Sequence, residues 1–313
     1  MSKKKCEPNN GWYDWEAPSG LRRVRRETPQ TLLASLVGHK ELMSGPSAPH
    51  KFKSSLKEGK GESWDLGRGF DGAVEDASQG SAEQSVRVAE IANLLMARIA
   101  GQLGGVTKKL KHSDQGSIVD VSRALSGDPE YMIRRKRVKS SVGKMIRIGA
   151  NCSVAWHVGA ESTAKHGAMM VAAANVLERR GFDVGLYSVC AVERRGGYPD
   201  SYFVTECKRP GTFVNPALVA GIMGTPAFFR RIVFAAWEQD AEGFEESYGY
   251  GYGSVRNAKA EDMKALGIDY LIPGIGAGGG DQPAGGWRDA SPEDIANYFA
   301  DKVWPEMKKA LGV

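Results

Sequence analysis

The sequence predicts an α/β protein: a mostly parallel, doubly wound sheet in residues 142–313, preceded by a mainly helical, basic region in residues 1–141. Three observations lead to this prediction. The C-terminal part alternates short apolar runs, typical of buried strands, with longer runs at helical spacing. Glycine follows several helical runs at the position where helices end. The N-terminal part shows helical spacing between turn-rich stretches and carries an excess of positive charge.

The N-terminal elements are predicted from caps and apolar spacing. Pro29 opens a helix over residues 30–42, and apolar residues at helical spacing predict a longer helix over residues 82–103. Residues 44–62 are rich in Gly, Pro, Ser and Lys, the composition of an exposed loop. Three aromatic residues, Trp12, Tyr13 and Trp15, lie among turn residues near the N-terminus, and we expect them to dock on the body of the protein.

The C-terminal elements alternate in type. Strands are predicted at Met145–Ala150, Asp183–Val192, Ser201–Cys207, Arg231–Ala236 and Ile268–Pro273. Helices are predicted over residues 161–180, 215–223, 258–266 and 291–310, with proline near the start or glycine after the end. This alternation favours parallel pairing, because a crossover helix returns the chain to the same edge of the sheet.

Length and composition bound the class of protein. The chain has 313 residues, of which 42% are hydrophobic and 25% charged, so it can build a large core in one or two domains. We see no run near the roughly 18 apolar residues of a membrane span and no apolar segment behind the N-terminal lysines, and we expect a cytoplasmic protein without a membrane partner. The four cysteines form no CxxC pair and are predicted to be reduced and buried.

Charge is distributed unevenly between the two parts. Residues 1–142 hold 24 Lys and Arg against 17 Asp and Glu, whereas residues 143–313 hold 18 against 20. A basic run without a carboxylate closes the first part, formed by Arg134, Arg135, Lys136, Arg137 and Lys139. Phosphate contact by this run would make the chain a DNA- or RNA-associated protein. The alternative is a solvated linker.

Several short patterns follow the predicted C-terminal strands in a characteristic order. The first strand runs into Asn151–Ala155, and Gly181–Leu186 leads into the second strand. Thr212 lies in a loop, Asp240 lies beyond the fourth predicted strand, and Ala265–Asp269 leads into the last. In this order, the patterns resemble a von Willebrand factor type A domain.

That resemblance spans residues 142–313 and implies a Mg²⁺ site at the strand ends, with Asn151, Ser153, Thr212 and Asp240 in ligand positions. Two departures imply weak Mg²⁺ binding at most: Asn151 stands where the family has a carboxylate, and Ala155 where it has a second serine. No other cofactor is expected. The family often binds protein partners, and its intracellular members commonly work beside AAA+ ATPases. We therefore predict a non-enzymatic macromolecule-binding adaptor with a degenerate metal site.

The layout also resembles a set of uncharacterised bacteriophage proteins. The shared features are Trp64, the Gly127–Glu130 turn and the Arg230–Arg231 pair. This second resemblance implies a phage-encoded protein in the host cytoplasm, and it implies no activity.

Three further patterns support weaker hypotheses. Gly274–Gly280 follows a strand but does not open directly into a helix, so a flexible surface loop is favoured over a phosphate-binding loop. Cys152 and His157 would form the nucleophile pair of a hydrolase, the least favoured function, because no third residue orients the base. The Tyr248–Tyr252 stretch would stack bases or anchor a loop.

Overall fold

A computed structural model describes residues 8, 10–45, 55–57, 62–99, 110–113, 118–119, 123, 126–135, 145–155, 158–240, 252–275, 283 and 286–313. Its strands are β1 (Tyr13–Ala17), β2 (Gly20–Glu27), β3 (Leu110–Ser113), β4 (Ile118–Val119), β5 (Met132–Arg135), β6 (Met145–Asn151), β7 (Asp183–Glu193), β8 (Asp200–Lys208), β9 (Ser254–Val255) and β10 (Tyr270–Ile272).

The described helices follow in chain order. They are α1 (Pro29–Ser35), α2 (His39–Ser44), α3 (Glu62–Asp65), α4 (Gly69–Gln79), α5 (Ala82–Ile99), α6 (Ala160–Arg179), α7 (Pro216–Met223), α8 (Phe228–Val233, a π-helical turn, continued by Phe234–Glu238), α9 (Ala260–Ala265), α10 (Gly286–Asp289), α11 (Pro292–Tyr298, continued by the π-helical turn Phe299–Val303) and α12 (Trp304–Leu311).

A mixed α/β architecture surrounds one central sheet. Its strand order is β1-β2-β8-β7-β6-β10, and β9 also pairs with β7. Strand pairs β2–β8, β6–β7 and β6–β10 are parallel, whereas β1–β2, β7–β8 and β7–β9 are antiparallel. The sheet is therefore mixed rather than mostly parallel. The cause is the short link of residues 194–199, which is long enough for a hairpin between β7 and β8 but too short for a crossover.

Several predicted elements are confirmed. The strands predicted at Met145–Ala150, Asp183–Val192 and Ser201–Cys207 are present as β6, β7 and β8, and the long helix over residues 161–180 is α6. Asn215 caps α7 by accepting hydrogen bonds from two backbone amides, as the Asn-Pro pair predicts. The helix expected over residues 30–42 is instead divided into α1 and α2 at Gly38, whose φ is +76°.

The strand predicted at Arg231–Ala236 is wrong, because this segment is part of helix α8. Every residue from Phe228 to Glu238 is buried, so the segment shows no amphipathic pattern that would mark it as helical. A short, wholly buried apolar run is compatible with either a strand or a helix, and here the tertiary environment selects the helix.

The N-terminal region contributes strands as well as helices. Strand β2, which contains Arg22, Arg23 and Arg25, pairs in parallel with β8, and β1 forms the adjacent sheet edge. Trp12 is buried, and its indole Nε1 donates to the Ala236 carbonyl at 2.9 Å, which confirms docking for this aromatic residue. Strands β1 and β2 thus share the central sheet with the C-terminal strands, and helices from both parts pack into one main core, whereas β3, β5 and β4 form a separate antiparallel sheet.

The two faces of the sheet are covered unequally. The main core lies between one face and helices α6 and α7, with α5 packed outside them. The other face carries a smaller core around Tyr187, Val189 and Tyr202, and Met263 of the six-residue helix α9 packs there. Among the described residues, no single helix is both long and apolar enough to cross a membrane; Pro216–Met223 and Phe228–Glu238 meet that test only jointly, with a bend of 57°.

Candidate functional site

The candidate site lies at the sheet edge where the parallel strands β6 and β7 end. Asn151 is the last residue of β6 and pairs with Val189 of β7. Just beyond it, the Ser153 hydroxyl accepts from the Ala191 amide at 2.6 Å and donates to the Ala191 carbonyl at 3.0 Å. Both Asn151 and Ser153 are fully buried. The Ser153 hydroxyl therefore fastens the loop after β6 to β7.

The Asn151 amide fastens a second loop. Its Nδ2 donates to the Arg256 carbonyl at 2.6 Å and to Oδ1 of Asn257 at 3.0 Å, while its Oδ1 accepts from the Ser153 amide at 3.2 Å. Both ends of the amide are thus engaged by the chain itself. Asn257, which sequence analysis missed, carries no short motif that would have identified it.

The segment after β10 is held at the same place. The Gly274 amide donates to Oδ1 of Asn257 at 2.8 Å, and a Cβ on Gly274 would lie 3.0 Å from Cγ of Asn151, so only glycine fits without a shift. His166 Nε2 lies 2.9 Å from the Pro273 carbonyl. Burial lowers the pKa of His166 to about 4, so the imidazole is neutral at pH 7 and Nε2 carries its proton.

Thr212 lies at the opposite edge of the sheet. It follows the end of β8, whose last residue, Lys208, pairs with Leu186 near the start of β7. Its hydroxyl donates to the Arg209 carbonyl at 2.8 Å, and the residue is exposed. The prediction that Thr212 joins Asn151 and Ser153 in a metal site is wrong, because the β7–β8 hairpin reverses the direction of the chain.

Asp240 is committed to buried ion pairs. Its carboxylate accepts from Arg23 at 2.8 Å and 3.3 Å, and Arg194 Nη1 lies 3.7 Å away. Burial raises the pKa of Asp240, although the hydrogen bond from Arg23 acts in the opposite direction. This carboxylate neutralises arginines of β2 and of the β7–β8 turn instead of facing a ligand position beside Asn151.

The structure describes some of the remaining predicted site residues and not others. No three His, Cys, Asp or Glu side chains in the described portion are placed to hold a metal ion. Burial raises the pKa of the Cys152 thiol to about 12, so it is not a thiolate nucleophile at neutral pH. Outside the described residues lie His157, Tyr248, Tyr250, residues 276–280, Lys136, Arg137 and Lys139, and also the side chains of Arg134 and Arg135.

A second polar cluster, missed by sequence analysis, surrounds the fully buried Glu238 at the end of α8. Its carboxylate accepts from His39 Nε2 at 3.0 Å, from the Ser55 amide at 3.0 Å, and from the hydroxyls of Ser55 and Tyr252. Arg231 binds the same segment through the carbonyls of Ser55, at 3.0 Å, and of Lys57, at 2.7 Å. Residues 55–57 are therefore held from two sides.

The geometry of this cluster is that of a structural hydrogen-bond network and not of a catalytic triad. In a triad, the two imidazole nitrogens serve different partners, one the nucleophile and the other the carboxylate. Here His39 Nε2 faces both Ser55 Oγ, at 3.2 Å, and Glu238, whereas Nδ1 has no hydrogen-bond partner among the described residues. Ser55 is also fully buried, so its hydroxyl is not open to a substrate.

Comparison with known proteins identifies the family. A family model described as a domain of unknown function, DUF7192, matches residues 30–285, which is most of the chain, so the chain belongs to this family. No curated protein and no solved structure matches the chain.

Proposed function

We propose that this member of the DUF7192 family is a non-enzymatic adaptor that binds a protein partner at the sheet edge where β6 and β7 end. One observation carries the proposal: the polar side chains at this edge form hydrogen bonds or ion pairs with other residues of the chain. Asn151 and Ser153 hold the loops after β6 and β9, and Asp240 holds arginines. Fixed loops on a rigid sheet are a common basis for binding surfaces. The proposal keeps the strand-end surface of the von Willebrand A resemblance but not its metal site.

The β7–β8 turn offers the contact group at this edge. Arg195, Gly196 and Gly197 are exposed, and both glycines have positive φ, 66° and 79°. The base of the turn is held by Arg194, which pairs with Asp240 and lies 5.0 Å from the centroid of the Tyr198 ring. A fixed turn presents Arg195 to a partner at low entropic cost, since the loop is ordered before binding.

Nucleic-acid binding through the basic N-terminal half receives less support. Arg22, Arg23 and Arg25 contribute to the positive charge of that half, yet all three are buried. Arg22 pairs with Asp262 and Arg23 with Asp240, so these guanidinium groups are neutralised inside the fold. The excess of basic residues therefore overstates the charge available to phosphates.

Co-purification with a charge-reversal variant tests the proposal. The tagged protein is recovered from cells of its native host after nuclease treatment, alongside Arg195→Glu and a matched control, Arg209→Glu. The Arg209 side chain is 72% exposed, and Arg209 comes directly after the last residue of β8, at the opposite edge of the sheet from Arg195. We expect a protein partner that is retained by the wild type and by Arg209→Glu but lost with Arg195→Glu. Capture abolished by nuclease would favour the nucleic-acid alternative, and equal loss with both variants would contradict the location.

A further inference from the structure

The chain forms a second, smaller sheet with the strand order β3-β5-β4, in which both pairings are antiparallel. Strand β3 pairs with all four residues of β5, whereas β4 pairs only with Met132 and Ile133. Among the residues that the structure describes, the second half of β5, Arg134–Arg135, therefore has β3 as its only neighbouring strand. Paired with Leu110–Lys111, it forms a two-stranded end of the sheet, which we call the basic ribbon.

The basic ribbon joins two runs of positive charge that are distant in sequence. The first run, residues 108–111, has three lysines among its four residues, and the second, residues 134–139, has five Lys or Arg among its six. Neither run contains a carboxylate. In the antiparallel register Lys111 lies directly opposite Arg134, so the two runs meet on one pair of strands. The first run begins, and the second ends, outside the described residues.

The stability of the sheet does not explain this pairing. Like charges directly opposite each other destabilise an antiparallel pair of strands, whereas a carboxylate opposite Lys111 would stabilise it. Carboxylates do occur nearby in the chain, but before the other end of β5: Asp128 precedes Met132 and pairs with Arg123 at 3.5 Å. The charge of the basic ribbon is therefore complementary to a negatively charged partner.

Nucleic acid has the chemistry that fits this surface. Its phosphates repeat along the chain, so one molecule neutralises several Lys and Arg residues at once and releases condensed counterions. A two-stranded antiparallel ribbon is also narrow enough to enter the major groove of duplex DNA. Strand β2 does not offer its charge in this way, because Arg22 and Arg23 are buried and paired with Asp262 and Asp240.

We infer that the basic ribbon binds the phosphodiester backbone of nucleic acid through Lys111, Arg134 and Arg135. The contact is with phosphates and not with bases, so it carries no sequence preference. It is separate from the strand-end surface proposed for a protein partner, since the ribbon belongs to a different sheet. Duplex and single-stranded nucleic acids share this chemistry, and measuring both distinguishes them.

Anisotropy titrations of the full chain with a fluorescent DNA duplex and with single-stranded RNA, between about 50 and about 200 mM salt, test the inference. Affinity for at least one of them should fall steeply with salt, because salt cations compete for the phosphates, and the tighter-bound form identifies the ligand. The absence of saturable binding of both at the lowest salt would overturn the inference. So would phosphatidylserine vesicles that displace the oligonucleotide at equal phosphate concentration, because the ribbon would then recognise a lipid surface.

A triple variant of the ribbon locates the site, and a matched triple variant removes the same charge from exposed positions elsewhere. The substitutions are Lys111→Gln, Arg134→Gln and Arg135→Gln in the first and Arg209→Gln, Lys264→Gln and Lys309→Gln in the second. Loss of three phosphate contacts should make the slope of log affinity against log salt shallower by about 2 to 3, and the control should leave it nearly unchanged. Equal slopes in the two variants would overturn the location.

A charge-preserving variant separates phosphate contact from damage to the fold. Lys111→Arg, Arg134→Lys and Arg135→Lys together should keep the wild-type slope, and a slope as shallow as that of the glutamine variant would contradict a contact made by charge. Arg195→Glu, which is expected to lose the protein partner, should leave oligonucleotide binding nearly unchanged. Loss of both activities in Arg195→Glu would show that the two surfaces are not separate.

Discussion

The guanidinium group of Arg23 on β2 donates to both carboxylate oxygens of Asp240, at 2.8 Å and 3.3 Å, and both side chains are fully buried. The two residues are 217 positions apart. This pair joins the N-terminal hairpin to the segment that follows α8, so it connects the first and last thirds of the chain.

Removing the carboxylate should therefore be costly. Asp240→Ala leaves Arg23 and Arg194 buried beside an empty position, and we expect a loss of about 3 kcal/mol in the free energy of unfolding. Urea denaturation followed by tryptophan fluorescence measures this. Asp71→Ala is the control, because Asp71 pairs with Lys40 on the surface and such pairs contribute little. Equal effects of the two changes would mean that the buried pair is not structurally important.

The same pair shows why the N-terminal strands were not predicted. Strand β2 reads Gly-Leu-Arg-Arg-Val-Arg-Arg-Glu, which lacks the apolar alternation of a half-buried strand. Arg23 is buried between two carboxylates, Asp14 on the neighbouring strand β1 and the distant Asp240, and no local pattern contains Asp240. By contrast, β6, β7 and α6 were predictable, because their burial follows from their own apolar residues.

The part of the predicted site that follows from local sequence is present in the structure. The part that depends on the direction of the neighbouring strand is not. Asn151 and Ser153 lie at the end of a strand, as the residues after Met145–Ala150 predict. Thr212 was misplaced because the sequence shows where β8 ends but not that β8 runs antiparallel to β7. Neither Asn257 nor Glu238 lies in a recognisable motif, and each is important only through contacts with distant segments.

Glu238 should be important for the stability of the fold. Glu238→Ala removes the acceptor of His39, Ser55 and Tyr252, all of which are buried, and we expect a loss of about 3 kcal/mol. Chemical denaturation checks this, with Glu41→Ala, an exposed glutamate of α2, as control. A near-normal unfolding free energy in Glu238→Ala would show that residues 55–57 are held by Arg231 alone.

Gly221 should resist replacement by alanine even though it lies inside helix α7. Alanine is normally better than glycine in a helix by about 1 kcal/mol. Here the added Cβ would lie 2.2 Å from the Asp76 carbonyl, so α4 and α7 must separate, and we expect a net destabilisation of about 2 kcal/mol. Thermal unfolding shows whether Gly221→Ala lowers the melting temperature, as expected, or raises it. Gly159→Ala is the control, because no atom lies within 4 Å of the Cβ it would gain.

His166 should make stability depend on acid pH. Its pKa falls from 6.5 in the unfolded chain to about 4 in the fold, since burial disfavours the charged imidazole. Below pH 6.5 the unfolded state binds a proton that the native state does not bind until about pH 4. The contribution is therefore present above pH 6.5 and is lost as the pH falls, with a total of about 3 kcal/mol.

The comparison that isolates this effect is with His166→Gln, whose amide can also donate to the Pro273 carbonyl. Unfolding free energies of both proteins, measured from pH 7 to pH 4, should converge as the pH falls, because only the wild type loses the histidine contribution. Parallel curves would show that His166 is protonated or exposed in the native protein.

Asn151→Asp should destabilise the protein without creating a metal site. The Asn151 amide donates to the Arg256 carbonyl and to Oδ1 of Asn257, and a carboxylate in its place would face two acceptor oxygens with no proton to share. We expect a loss of about 2 kcal/mol or more, the cost of buried polar groups left unmatched. Asn93→Asp, on the exposed face of α5, is the matched control and should be close to neutral.

Mg²⁺ prefers several oxygen ligands around a carboxylate, yet Thr212 lies at the other edge of the sheet and Asp240 is bound to Arg23. Calorimetric titration of Asn151→Asp with Mg²⁺ should therefore give no isotherm at millimolar concentration. Tight Mg²⁺ binding by this variant, together with normal stability, would mean that the strand-end loops rearrange to form the site that the von Willebrand A resemblance implies.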